Sequence, residues 1–195
     1  YQLLVNAGLR KDEDAKAKLF HKGKDASAYP DLKAGLQKLL LRQLLVVDLN
    51  VPGNNSRQRA YFDSYQKWAQ IKLLMGRNAW TNTVELAEEV LKKARKFELT
   101  DIVVDMARIL RLYFGSIAGV LKKYEEYHQL AESWEEAFQY ENLAEALYTD
   151  LVVRFVNNKV AQQNVHEKAK EYFERIQPAL QQHFTYRLHL SGRLI

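Results

Sequence analysis

The sequence predicts an all-α fold, a right-handed superhelical array of antiparallel helix pairs. Three observations predict it. Apolar residues recur at intervals of three and four along most of the 195 residues, the period of a helix with one buried face. Only 8 Gly and 3 Pro interrupt the chain, and its middle and C-terminal parts are dominated by Leu, Ala, Lys, Glu and Gln, which lose little rotamer freedom in a helix. The segment Trp68 to Leu99 reads as two amphipathic helices folded back on each other around Gly76. A hairpin of that length cannot bury its apolar stripe alone and needs stacked neighbours.

A short helix is expected from about Asp12 to Phe20, ended by the polar His21-Lys22-Gly23-Lys24. Tyr29-Pro30 then breaks the chain, and Asp31 is placed to start a second helix reaching Asn50. Leu32, Leu36, Leu39, Leu40, Gln43 and Val47 share one of its faces. The most apolar run, Leu36 to Val51, contains Gln37, Lys38, Arg42, Gln43, Asp48 and Asn50. A bilayer span needs about 20 mostly apolar residues, so this run reads as a buried helix. Pro52-Gly53-Asn54-Asn55 stops and turns the chain.

A third helix, about Arg57 to Met75, aligns Tyr61, Tyr65, Trp68, Ile71 and Met75, with Gly76 as its left-handed C-terminal cap. Asn78 is placed to open a fourth, whose apolar stripe is Trp80, Val84, Ala87, Leu91 and Ala94. Its Glu88 and Glu89 precede Lys92 and Lys93 by four residues, the pattern of an exposed face. Thr100-Asp101 caps a fifth helix with Val103, Met106, Leu110 and Tyr113 inward, and Gly115-Ser116 breaks it. The sixth, about Ile117 to Tyr140, turns Val120, Leu121, Tyr124, His128, Ala131, Trp134 and Phe138 to one side. The seventh, about Glu141 to Val156, is apolar on more than one face and is expected to be flanked on both sides. After the polar Asn157-Asn158-Lys159 an eighth runs from about Val165 to Gln182, with Pro178 expected to end or kink it. Thr185 to Ile195 opens a further helix that lacks a polar cap, so the chain reads as a fragment of a longer protein, or as one whose terminus packs against a neighbour, which allows self-association.

The bulk numbers exclude several function classes. Absence of Cys removes disulfides and thiolate metal sites and fits a reducing, cytoplasmic setting. Net charge is +5, with 11 Lys/Arg against 6 Asp/Glu in residues 1–60 and near balance thereafter. The excess gathers in Arg10, Lys11, Lys16, Lys18, Lys22 and Lys24. A stripe along the whole array would point to a nucleic-acid groove, whereas a local excess reads as a solvated face.

No constellation of catalytic residues is present: there is no Gly-x-Ser-x-Gly, no phosphate-binding glycine loop and no His-Glu-x-x-His. Glu125-Glu126-Tyr127-His128 contains one Glu-x-x-His element, but a di-iron carboxylate site needs two, plus a Glu from each of two more helices. His128 therefore reads as a helix-face residue among Tyr124, Ala131 and Trp134. His183 and His189 flank a helix boundary, and His21 and His166 fall in polar surroundings. Catalytic, cofactor-binding and metal-binding residues are expected to be none. Most of the aromatic residues fall on inward faces, leaving Tyr29, Tyr61 and Tyr127 as those expected to remain exposed.

From Trp68 to Leu99 a bulky aromatic, then Leu74-Met75-Gly76, then Ala87, Leu91 and Ala94 follow in an order that resembles the tetratricopeptide repeat. Gly76 precedes Ala87 by 11 residues, one short of that pattern, and the closing Pro is replaced by Leu99 or Thr100. The segments Asp14-Ala15-Lys16-Ala17-Lys18-Leu19-Phe20-His21-Lys22-Gly23-Lys24, Lys72-Leu73-Leu74-Met75-Gly76 and Glu88-Glu89-Val90-Leu91-Lys92-Lys93-Ala94 make the whole chain resemble an uncharacterised bacterial family of tetratricopeptide-like proteins several hundred residues long. The resemblance implies a cytoplasmic, tetratricopeptide-like α-solenoid with an interaction role and no catalytic residues. The expected organisation is a single array over residues 1–195, with more divergent, basic helices over 1–55 and tetratricopeptide-like pairs over 56–195. The expected function is a non-enzymatic scaffold whose concave face holds a peptide or helix of another protein. The alternative is a nucleic-acid-binding or regulatory protein that uses the basic N-terminal region. Neither reading involves a cofactor or a membrane.

Overall fold

A computed structural model describes residues 12–19, 26–43, 55–157 and 162–195. Every regular element among them is helical: α1 Asp12–Leu19, α2 Tyr29–Gln43, α3 Ser56–Gly76, α4 Trp80–Phe97, α5 Thr100–Leu112, α6 Leu121–Asn157, α7 Gln162–Gln182 and α8 Tyr186–Leu194. The chain divides into two compact units, residues 1–48 and 49–195.

In the first unit Lys33 of α2 forms an ion pair with Asp12 of α1, and Ala15 is buried. The expected burial of the Leu36 to Val51 run is not found where the chain is described. α2 has no buried residue, and Leu32, Leu39, Leu40 and Leu41 face solvent. Residues 44–54, including the predicted Pro52-Gly53 turn, lie outside the described residues, as do His21, Arg10, Lys11, Lys22 and Lys24. Of the basic cluster, Lys16 is described and is exposed.

The second unit begins with a capping box. The Asn55 side chain accepts from the Gln58 backbone N–H at 2.8 Å, and the Gln58 side chain accepts from the Asn55 backbone N–H at 3.0 Å. α3 and α4 run antiparallel, as the ion pairs Lys67–Glu89 and Lys93–Asp63 show. Glu89 and Lys93 of α4 thus pair across helices, where the sequence suggested pairs along one face.

Gly76 does not take the left-handed cap position expected of it. α3 runs to the end of Gly76, and Asn78 (φ 56°) makes the reversal. Asn78 donates to the Met75 carbonyl and Ala79 to the Leu74 carbonyl, a Schellman closure. Asn78 therefore ends one helix and does not open the next, whose N-cap is Ala79. The turn from α4 to α5 repeats the device with Glu98 (φ 53°) and the Leu99-to-Ala94 hydrogen bond. Thr100 and Asp101 consequently lie inside α5 and do not cap it.

After α5 the backbone widens into a π-helical turn, Tyr113–Ile117, where Gly115-Ser116 was expected to break it. Gly119 (φ 65°) then redirects the chain. A Cβ on Gly115 would meet the Tyr124 ring at 2.8 Å, so close approach of that ring explains the glycine. Val120 and Leu121, expected inward, are exposed, because they belong to this corner.

The largest departure from expectation is α6. The two helices predicted to meet at Tyr140-Glu141 are one helix of 37 residues, about 55 Å long. Nothing in Tyr140-Glu141-Asn142 breaks a helix once both sides of the junction are packed. α6 spans two hydrophobic cores. The first contains Ile71, Ala87, Val90, Leu91, Val103, Met106, Leu110 and Tyr127, and the second contains Ala144, Ile176, Ala179 and Leu188. Tyr127, expected at the surface, is 6% exposed because its ring stacks on Phe114 in the first core. The apolar end of α6 is covered on one side only: Leu147 and Leu151 are buried, whereas Val152 and Phe155 are exposed. α7 packs antiparallel on this half of α6 and continues past Pro178 to Gln182.

Candidate functional site

Two features of the second unit bear on function, one an open surface and one a buried polar group. The first is an open trough of about 500 Å³ along α6, lined by Asn142, Glu145, Ala146, Thr149, Asp150 and Val153. These residues recur at three- and four-residue spacing, so one face of one straight helix forms its floor. Side chains of neighbouring helices order both acidic groups. Arg187 of α8 donates to Glu145 at 3.0 Å. Asp150 accepts from Arg154 at 2.6 Å and from Tyr172 of α7 at 2.8 Å. The Arg154 bond, then the Tyr172 bond, hold the Asp150 carboxyl below its ordinary range. The same bond holds the Tyr172 phenol above its own. Val153 and, one turn on, Val156 continue the face as exposed apolar surface.

The second feature is the buried polar group at the centre of α6. Glu141 is 1% exposed and accepts from the Thr100 hydroxyl at 2.6 Å. Its other oxygen has no hydrogen bond, and Arg187 Nη1 stands 3.9 Å from it. The Glu98 carboxylate accepts from the Tyr186 backbone N–H at 2.8 Å. A non-glycine residue in the left-handed region costs about 1 kcal/mol, and this cap on the start of α8 offsets that cost. None of these contacts was legible in the sequence. Glu141 reads there as a helix start, and partners 41 and 88 residues apart leave no local signal.

His128 of the Glu125-x-x-His128 element is engaged by its helix neighbours. His128 stacks on Tyr124, its Nδ1 lies 3.2 Å from Arg111, and its Nε2 lies 3.5 Å from Glu132. Among the described residues no group of three or more His, Cys, Asp or Glu is placed to hold a metal ion. His183 packs on the Tyr140 ring with Glu136 3.7 Å away, and His189 stacks on Phe184. His166 is exposed. A smaller depression of about 370 Å³ at the π-helical corner is lined by Phe114, Gly115, Ser116, Gly119, Leu121 and Tyr124. Among the described helices, none is long and apolar enough to cross a membrane. No protein-family model, curated protein or solved structure matches the chain.

Proposed function

We propose that this protein is a non-enzymatic scaffold, a tetratricopeptide-like array of stacked helix pairs that holds a peptide or helix of another protein in the trough along α6. The observation that carries the reading is the register of the stack. Tyr65 bonds to Asp101, 36 residues on, and Trp68 to Asp105, 37 residues on, so α3 and α5 run parallel one helical pair apart. Tyr127 donates to Glu88, 39 residues back, which places α4 and α6 in the same relation. Arg111–His128 and Thr100–Glu141 pair α5 antiparallel with the first half of α6. Two successive hairpins stacked at a near-constant offset support the reading of a repeat array, in which each pair buries its neighbour's seam.

A face prearranged along one rigid helix binds with little ordering cost, and exposed apolar residues beside ordered carboxylates suit an amphipathic helix. The setting is taken to be cytoplasmic. The test is selection of helical peptides on the immobilised full chain, followed by titration against Ala146→Arg, which fills the trough from an exposed position. Selected peptides should lose at least about tenfold in affinity to the variant, with its helical circular dichroism unchanged. Equal affinity for both proteins overturns the reading. Binding of mixed-sequence RNA that weakens steeply with salt would favour the nucleic-acid alternative.

A further inference from the structure

The corner between α5 and α6 carries exposed apolar side chains and positive charge together. Residues 115–122 are exposed without a break. Ile117 is 50% and Leu121 69% exposed, and Leu112 and Val120 also face solvent. From Met106 to Tyr124 the chain has four cations, Arg108, Arg111, Lys122 and Lys123, and no acidic residue. Asp105 and Glu125 bound this stretch, and Asp105 is engaged by Lys72 and Trp68. Among the described residues Arg108 and Lys122 have no ion-pair partner, Arg111 meets His128, and Lys123 meets Glu126 at 3.3 Å. Arg77 adds charge to the same end, because Trp80, three residues on, stacks on Tyr113 with ring centroids 6.0 Å apart. The backbone of the corner is hydrogen-bonded within itself. Ala118 N–H donates to the Tyr113 carbonyl at 2.9 Å and Val120 N–H to the Phe114 carbonyl at 2.8 Å. Phe114 stacks on Tyr127 of the first core, so the corner has a fixed base.

We propose that this corner is a docking tip for an anionic membrane surface. Ile117, Val120 and Leu121 enter the boundary between headgroups and acyl chains, and Arg108, Arg111 and Lys122 meet the anionic headgroups. Affinity at such a boundary adds apolar burial to attraction by anionic lipid, and each cation near the surface is worth about fivefold in partitioning. A nucleic acid would engage the cations through its phosphates but would leave the apolar side chains in water. A segment entering an apolar phase must satisfy its backbone groups internally, as the π-helical turn does for Ala118 and Val120. The surface is entered and not crossed, since none of the described helices is long and apolar enough for a span. From Leu121 to Asn142 along α6 is about 30 Å, so a docked tip leaves the trough open. The inference goes beyond the scaffold reading and does not rest on it.

The full chain is sedimented with vesicles of phosphatidylcholine alone and of phosphatidylcholine with phosphatidylserine. It should sediment with the anionic vesicles, and less so as salt rises. Arg108→Glu/Lys122→Glu leaves two cations and two acids in the stretch and should lower partitioning at least about tenfold. Ile117→Asn/Leu121→Asn removes apolar contact without changing charge and should also lower it at least about tenfold. All four positions are exposed, so the helical circular dichroism of both variants should be unchanged. Hydrogen exchange supplies the location: anionic vesicles should slow the amides of residues 115–122 and leave those of residues 142–153 as they were. Failure of the unaltered chain to sediment with anionic vesicles overturns the proposal. Equal partitioning of all three proteins also overturns it, by placing the lipid contact elsewhere on the chain. Loss in only one of the two variants does the same, because charge and apolar contact are both required. Peptides selected for the Ala146 trough should bind Arg108→Glu/Lys122→Glu as they bind the unaltered chain, so failure here leaves the scaffold reading standing.

Discussion

At the residue scale, the second unit is organised by carboxylates that reach between helices. Tyr65 donates to Asp101 and Tyr127 to Glu88. Burial, then the carboxylate partner, pushes both phenols well above their ordinary range. A raised folded-state value stabilises the fold fully below the unfolded pKa of about 10, and that contribution is lost as pH rises through the folded value. Spectrophotometric titration of the phenolate band should show Tyr65 and Tyr127 still protonated above the ordinary phenol pKa of about 10. Their ionisation should coincide with loss of helical signal. The Thr100–Glu141 bond is a second case, buried at both ends. Thr100→Val removes the one hydrogen bond on a buried carboxylate and should lower unfolding free energy by about 1–3 kcal/mol, read from urea denaturation.

Elements are fixed by their ends. The Asn55–Gln58 capping box starts α3, and Asn55→Ala should cost about 1 kcal/mol, measurable as a lower urea midpoint at unchanged slope. At the α6–α7 contact the sign of the pH dependence follows from Asp150, whose carboxyl is held down by Arg154 and Tyr172. A depressed value contributes stability above the unfolded pKa of about 3.9, and the contribution disappears as pH falls through the folded value. The melting temperature of the unaltered chain should therefore fall more between pH 5 and pH 2 than that of Asp150→Asn. Equal falls would show that the Tyr172 contact adds nothing to the pairing of α6 with α7.

For the whole second unit, one helix ties two cores together. α6 contributes Tyr127 to the first and Ala144 to the second, with no interruption between them. Continuity of its hydrogen-bond ladder is what should make the cores unfold together. Asn142→Pro removes one ladder bond at an exposed position and clashes with the preceding turn, at a cost of about 3 kcal/mol or more. Calorimetry should then resolve two transitions where the unaltered chain gives one. A single transition in the variant would mean that the two cores are coupled through α8 and the α4–α5 turn.

Sequence alone determined that the chain is helical, and it placed the stripes Ala87-Leu91-Ala94 and Val103-Met106-Leu110 inward, because a 3.6-residue period is a local property of the chain. It located the reversals near Gly76 and Thr100 to within a few residues but assigned them to the wrong ones. Asn78 and Glu98 make the turns because the last helical turn runs further once its carbonyls are closed by Schellman bonds. Only the tertiary structure decided that residues 121–157 form one helix, that Tyr127 is buried and that Glu98, Glu141 and Glu145 gather around α8. Those outcomes depend on partners tens of residues away in the chain, and the free energy of such contacts leaves no periodic mark on either partner's own segment.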